Sequence, residues 1–380
     1  MKAWPRLKIG ELLTRVKDDV QIDDFTTYGR ITIRMAGKGV TLRDRVVGSE
    51  IGTKRQFIAR TGQFVLSKID ARNGAFGVLP DDCDNAIVTG NFWVFDIDHS
   101  RLDSQFFNYL SKSPEFVAAC VAASDGTTNR RYLQEDAFLD MVVPTPDLTE
   151  QHALVDHLDA LAEKTRQVEA HLDAVERDAE HLLALRFRDA IANAPLRSMA
   201  EVTPLVRREV VIDPEKSYTE LGVRSFYKGA FHRRTVPGSD FSWQDLYRVQ
   251  TGDLIFSNIM AWEQAIAIAQ PEDDGCVGNH RMLTCEANVD LAVPGFLWYY
   301  FTTEEGFAKI YAASPGTAAR NRTMTAPSLM AIDVPTPPLD VQLTFDRLQA
   351  EVAALKAKHS AIREANAALL PATLERVFTQ

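Results

Sequence analysis

The chain repeats itself at an interval of 190 residues, half of its 380. "YGRITIRMAGKGV" (28–40) returns as "YTELGVRSFYKGAF" (218–231), with Tyr28/Tyr218, Arg34/Arg224, Lys38/Lys228 and Gly39/Gly229 each 190 apart. "GQFVLSKI" (62–69) returns as "GDLIFSNI" (252–259) at the same interval. Gly126/Gly316 and Thr127/Thr317 are still 190 apart, whereas Arg131/Arg322, Leu133/Met324 and Phe138/Leu329 are 191 apart. One residue has been inserted between them, where a loop tolerates it. "VVPTPDLTEQ" (142–151) and "DVPTPPLDVQ" (333–342) keep the longer spacing at Pro144/Pro335, Pro146/Pro337 and Gln151/Gln342. An offset this constant over separate blocks means one structural unit built twice.

Each half has two parts. The first part, 1–149 or 191–341, mixes short apolar runs that read as strands ("RITIRM", "QFVLSKI", "NFWVFDID", "YTELGVRSF", "DLIFSNI") with breakers such as "LPDDCDN" and "QPEDDGCVGN". "SQFFNYLSKSPEFVAACVAA" and "GFLWYYFTTEEGFAKIYAA" read as helices. The second part is a long helix, 150–190 or 342–380. In the first, Leu154, Leu158, Leu161, Thr165, Val168, Leu172, Val175, Ala179 and Leu182 follow a heptad spacing. In the second, Phe345, Leu348, Val352, Leu355, His359, Ile362, Asn366 and Leu369 do the same, and Pro371 is expected to close it. Helices of this length, about 45–60 Å at 1.5 Å per residue, must bury their stripe on something. The expectation is an α+β fold: two tandem globular domains with small mixed sheets, separated by long helices that pair as an antiparallel coiled coil with pseudo-two-fold symmetry. A spacer helix or a homodimer zipper is the alternative.

Charge argues little for a nucleic-acid partner at first sight. The formal net charge is −10, whereas nucleic-acid binders usually carry a basic footprint. Residues 150–190 hold five Lys/Arg against ten Asp/Glu, so half of the acid excess sits in one helix and any basic surface is local. No apolar run reaches membrane-spanning length, and "MKAWPRLKIGELL" lacks the apolar stretch of a signal peptide. The four cysteines have no zinc-like spacing and read as reduced thiols, which places the chain in the cytoplasm. No phosphate loop, HExxH or His/Cys cluster appears, so no catalytic residue, metal or cofactor is expected.

The order of these blocks resembles that of the specificity subunits of type I restriction–modification systems. The resemblance is carried by "GDLIFSNI" (252–259) and "GTAARNRTM…DVPTPPL…Q" (316–342) before a long heptad helix, and by their copies "GQFVLSKI" and "GTTNRRYL…VVPTPDLTEQ" (126–151) in the first half. It covers nearly all of the chain. It implies a target-recognition domain at 1–149, a first long helix at 150–190, a second target-recognition domain at 191–341 and a second long helix at 342–380. It further implies double-stranded DNA as ligand, each domain reading half of a bipartite, asymmetric site. The helices would set the spacer and dock methyltransferase subunits, two by symmetry, with a restriction subunit as a further partner and no membrane. The subunit would be non-catalytic and would serve DNA methylation and phage defence. A coiled-coil scaffold in another DNA-defence complex is the other reading, and an enzyme made by gene duplication is disfavoured because no carboxylate pair repeats. One departure is "DVQ" (340–342), which lacks the acid that "TEQ" (149–151) places before the glutamine.

The loops carry chemistry that suits DNA. Thr127, Thr128, Asn129, Arg130 and Arg131 crowd together, and Thr317, Arg320, Asn321 and Arg322 repeat the mixture. Arginine forks onto guanine O6/N7 or phosphate, asparagine pairs with adenine N6/N7, and threonine hydroxyls suit phosphate oxygens. Arg131 and Arg322 match across the halves and are assigned the shared task of phosphate contact. A loop arginine tied to an Asp of its own domain is the alternative. Lys38 and Lys228 are further phosphate candidates. Positions that differ between halves are candidates for reading bases: Lys68, Arg72 and Asn73 against Asn258, and "TGNFW" (89–93) against "VGNHRM" (277–282). Aligned on their Gly-Asn pairs, these place Asn91 opposite Asn279 and leave His280 and Arg281 without a charged counterpart. An ordinary strand–turn surface is the alternative for each.

Overall fold

The computed structural model describes residues 4–127, 130–241, 245–316 and 322–379. It divides into two compact units, one made of residues 1–172 with 359–380 and the other of residues 173–358. The division falls inside both long helices, so each unit contains a head together with one stretch of paired helix.

Within the first unit, Arg6–Lys8 pairs antiparallel with Val142–Pro144, the strand that precedes the first long helix. Within the second, Leu196–Ser198 pairs with Asp333–Pro335 in the corresponding register. The Pro-Thr-Pro repeat is where the chain leaves each head. Its threonine N–H donates to Pro5 O at 2.7 Å in one unit and to Pro195 O at 2.9 Å in the other. In the first turn of each long helix comes the repeated glutamine, fully buried in both units. Gln151 Nε2 donates to Arg101 O at 2.9 Å and Pro146 O at 2.8 Å, while its Oε1 accepts from Asp103 N at 2.8 Å. Gln342 Nε2 donates to Leu291 O at 2.9 Å and Pro337 O at 2.8 Å, and its Oε1 accepts from Val293 N at 2.9 Å. A buried amide must be satisfied, and each is satisfied by riveting the start of a long helix to its head.

The head of the first unit holds a five-stranded sheet, in the order Asp19–Gln21, Arg55–Ala59, Ala86–Val88, Thr27–Arg34, Gly39–Val47. A four-stranded sheet follows the order Leu13–Val16, Phe92–Ile97, Phe64–Ser67, Phe76–Val78. The second head repeats the plan with four and three strands. The correspondence reaches single pairs: Arg30 lies beside Ile87 in a parallel contact, and Glu220 lies beside Val277. The ion pair on the neighbouring strand is kept but reversed. Arg30 binds Asp44 through Nε at 2.7 Å and Nη2 at 2.6 Å. In the second head Glu220 accepts from Arg234 at 2.9 Å and Arg233 at 3.2 Å.

The helical stretches each split in two. Ser104–Ser111 and Pro114–Ala122 are separated at Ser113, where the residue before a proline is driven out of the helical region and its hydroxyl caps Phe116 N. Pro294–Thr302 and Glu304–Ala312 part at Thr303, which caps Gly306 N at 3.2 Å. A side chain at Gly306 would meet Tyr300 O, so glycine permits this close turn. Aromatic side chains fill both cores. Phe64, Phe76, Phe95, Phe106, Phe107, Phe116 and Phe138 cluster in the first, and Phe187, Phe256, Phe296, Tyr300, Phe301 and Phe345 in the second.

The long helices span Leu148–Ile191 and Leu339–Phe378 and run antiparallel within each unit. In the second unit Phe187 meets Phe345 at 5.1 Å between ring centroids, and Lys356 binds Glu180 at 2.6 Å. In the first unit Asn366 Nδ2 donates to Thr165 O at 3.0 Å and Glu169 Oε1 at 2.8 Å, and Arg363 binds Glu169 at 2.6 Å. The seam differs from the heptad reading at four positions. Val168, Leu182, Ile362 and Leu369 are exposed, and the next residues, Glu169, Leu183, Arg363 and Leu370, turn inward instead. An α-helix advances 3.6 residues per turn, so a strict 3.5-residue template slips by one residue where a head or an ion pair fixes the rotation.

Pro371 does not close the second helix, which continues to Phe378. An interior proline costs about 3 kcal/mol. Beyond it Leu374 and Phe378 are buried in the core of the first unit, Phe378 lying 6.5 Å from Trp4 and 5.5 Å from Phe106 between ring centroids. Burying those two side chains is worth roughly 2–5 kcal/mol each, which exceeds the proline penalty.

Candidate nucleic-acid interface

In the first head, the strand Phe64–Ser67 ends at Lys68, which is held on both sides. Lys68 N donates to Asn91 O at 3.0 Å, and Lys68 O accepts from Leu133 N at 2.8 Å. Its ammonium lies 5.9 Å from the centre of the Tyr132 ring. The next turn carries Arg72 and Asn73 and ends at Gly74, with φ of 73°. Asn73 O and Gly74 O accept from Ala36 N at 2.7 Å and Gly37 N at 3.0 Å, seating the hairpin tip that carries Lys38. The left-handed φ and the 2.9 Å that would separate a Cβ on Gly74 from Gly37 N both favour glycine here. Asn91 ends the turn into Phe92–Ile97, and Arg131 lies on the strand Arg130–Leu133 opposite Gly126. Four separate segments thus bring Lys38, Lys68, Arg72, Asn73, Asn91 and Arg131 onto linked backbone. Lys38, Asn73, Asn91 and Arg131 are exposed, and Lys68 and Arg72 are half-buried.

The second head builds the same frame. Asn258 N donates to Arg281 O at 2.9 Å, and Asn258 O accepts from Met324 N at 2.8 Å. Phe226 N and Tyr227 N donate to Glu263 O and Gln264 O, both at 3.0 Å, seating the tip that carries Lys228. Gln264 takes the left-handed place of Gly74, with φ of 68°. Lys228, His280 and Arg281 are exposed. This frame corrects the alignment on Gly-Asn pairs: the counterpart of Asn91 is Arg281, not Asn279. The cross-strand pairs Phe92/Ser67 and Met282/Ser257 keep the interval of 190, and that register outranks a two-letter likeness in a turn.

The two matched arginines have different surroundings. Arg131 is exposed, whereas Arg322 is half-buried. The Arg322 guanidinium lies 3.9 Å from the centre of the Tyr311 ring, and its Nη1 donates to Ser314 O at 3.0 Å. Thr128, Asn129, Thr317, Arg320 and Asn321 lie outside the described residues, as do the side chains of Thr127 and Arg130.

Sequence reading gave no role to Tyr132 or Arg233, and set Asn279 only as the partner of Asn91. Arg233, Asn279 and Arg281 line a cleft of about 290 Å³ with Ile259 and Ser257, next to Asn258. Asn279 Oδ1 accepts from Arg281 N at 2.9 Å and shapes this turn. The signal was available in the sequence, since the 190-residue interval carries Phe92 onto Met282 and so moves attention to this turn. Among the described residues no group of His, Cys, Asp and Glu is arranged to hold a metal ion, and no helix is long and apolar enough to cross a membrane. The four cysteines are buried and unbridged; burial pushes the Cys120 and Cys285 thiols up to about 12.

No protein-family model matches the chain, and no curated protein matches it. Solved structures do. The HsdS subunit from Thermoanaerobacter tengcongensis is 17% identical with a TM-score of 0.64, covering 100% of this chain and 97% of that one. A chain solved in work on complex assembly and conformational transition of the type I R-M system is 18% identical with a TM-score of 0.71, covering 99% and 97%. From end to end, the chain has the fold of these type I R-M proteins.

Proposed function

We propose that the chain is the non-catalytic DNA-recognition subunit of a type I restriction–modification complex, acting in the cytoplasm. Its domains are then residues 1–149 and 191–341, each reading one half of a bipartite, asymmetric site in double-stranded DNA. Residues 150–190 and 342–380 form the paired helices that set the spacer and dock two methyltransferase subunits, with a restriction subunit as a further partner. The observation that carries this reading is the duplicated frame of lysine, arginine and asparagine side chains, one per head, on a fold shared in full with the HsdS subunit. Two copies of one scaffold carrying different polar side chains suit two different half-sites. The net charge of −10 fits a subunit whose DNA affinity is completed by its partners.

The test is to purify the chain with its methyltransferase subunits and select bound duplexes from a randomised pool. The expected outcome is two short sequences separated by an unread spacer of fixed length. Deleting one heptad from each long helix should shorten that spacer. A pool returned without enrichment, or enriched for one continuous motif, contradicts the proposal.

A further inference from the structure

We infer that the residue pair at the end of the central ladder in each head, Lys68 with Asn91 and Asn258 with Arg281, sets which bases each head prefers, and that the two heads carry the pair in exchanged order. This rests on the DNA-recognition reading above and deepens it.

The frames are the same and the side chains are not. In each head the strand-end residue donates its N–H to the turn residue and accepts from a residue of a third segment, at 3.0 and 2.8 Å in one head and 2.9 and 2.8 Å in the other. Each pair therefore sits side by side across two antiparallel strands, one step beyond Ser67/Phe92 and Ser257/Met282. With the backbone fixed, only the side chains are free to differ. The first head places a cation on the strand end and an amide on the turn; the second places the amide on the strand end and a cation on the turn. Facing side chains on adjacent strands lie about 5 Å apart, a distance that suits neighbouring base pairs stacked about 3.4 Å apart.

Of these groups the fold engages Lys68, which is half-buried with its ammonium against the Tyr132 ring. Asn91 and Arg281 are exposed. Asn258 is half-buried, and its Oδ1 is turned inward without a hydrogen-bond donor among the described residues; a buried acceptor left unpaired costs about 1–3 kcal/mol, so turning this amide outward onto a base relieves it. Lysine and arginine recognise the O6/N7 edge of guanine, and asparagine recognises the N6/N7 edge of adenine. The ligand class is thus a pair of adjacent purine edges in the major groove, offered in one order to the first head and in the reverse order to the second.

The experiment uses the full chain in complex with its methyltransferase subunits and a duplex pool randomised in both half-sites. The first head receives Lys68→Asn with Asn91→Arg, and, separately, the second receives Asn258→Lys with Arg281→Asn. Each exchange is expected to change base discrimination by roughly 5- to 150-fold, the range of one good side chain–base pairing, at one or two adjacent positions of a single half-site. The other half-site should keep its preference. Unchanged preference in both half-sites with binding retained overturns the inference, as does a loss of binding equal across all sequences, which marks phosphate contact. Should a double variant fail to assemble, Lys68→Gln and Asn258→Gln are scored by the same criterion. A wild-type complex that enriches no sequence overturns the recognition reading and this inference together; selective wild-type binding with silent exchanges overturns this inference alone.

Discussion

Replacing Gln342 by leucine tests whether the repeated glutamine fastens each long helix to its head. The side chain is fully buried and makes three hydrogen bonds, two as donor to Leu291 O and Pro337 O and one as acceptor from Val293 N. Leucine fills much of the space but leaves one N–H and two carbonyls without partners. A buried group left unsatisfied costs about 1–3 kcal/mol; at the lower end of that range for each of the three groups, about 3 kcal/mol is expected for the whole substitution. That corresponds to roughly 150-fold faster amide exchange, through local opening, in the segment around Val293. Hydrogen–deuterium exchange read by mass spectrometry on peptides spanning 288–300 measures it directly. Gln167, whose amide donates to the exposed Glu163 on its own helix, is the control, and Gln167→Leu should alter exchange little. Exchange around Val293 within about threefold of wild type would refute the reasoning, because the three hydrogen bonds would then carry no net weight. Gln151→Leu should open the segment around Asp103 in the first unit by a similar factor, and the two effects should add, since the networks share no residue.

Phe378→Ala should destabilise the first unit by about 3–5 kcal/mol, seen as a lower urea midpoint reported by the fluorescence of Trp4, which packs against Phe378. Asp346 is half-buried and burial raises its pKa, so folding favours its protonated form. Its contribution is therefore fully favourable below the ordinary value of 3.8 and is lost as pH rises through the raised value. Asp346→Asn should accordingly raise the urea midpoint at pH 7 and change it little at pH 3.5. Arg131→Ala should weaken DNA binding by the whole complex about equally across sequences and leave thermal stability unchanged, while Arg322→Ala should also lower the melting temperature, because it removes the stack on Tyr311 and the bond to Ser314 O.

Much of the fold was legible because duplication writes every element twice. The Pro-Thr-Pro-x-x-x-x-Gln block marked the exit from each head, although its role as a hydrogen-bonded rivet appeared only with the carbonyls of Arg101 and Leu291 in place. Long-range partners of that kind leave no local pattern. The slipped seam at Val168, Leu182, Ile362 and Leu369 has a similar origin: the heptad template scores hydrophobicity along one helix, whereas rotation is fixed by what the facing element offers. At Glu169 it offers Arg363 and Asn366, so a charged residue faces inward and a valine faces out. Pro371 misled because a helix breaker is weighed against local alternatives, and the compensation came from an aromatic core more than 200 residues earlier in the chain. On the candidate interface, strand identity was readable, but the pairing of Asn91 with Arg281 was obscured by a Gly-Asn likeness two residues out of step.

The burial of Leu374 and Phe378 makes the two units unequal in how they are closed. The unit of residues 1–172 draws part of its interior from residues 359–380, whereas residues 173–358 form the other unit from one continuous stretch. A chain cut after residue 358 should therefore keep the packing of Phe187 on Phe345 while leaving Trp4 and Phe106 without their cover, open to the non-native contacts that incomplete cores make.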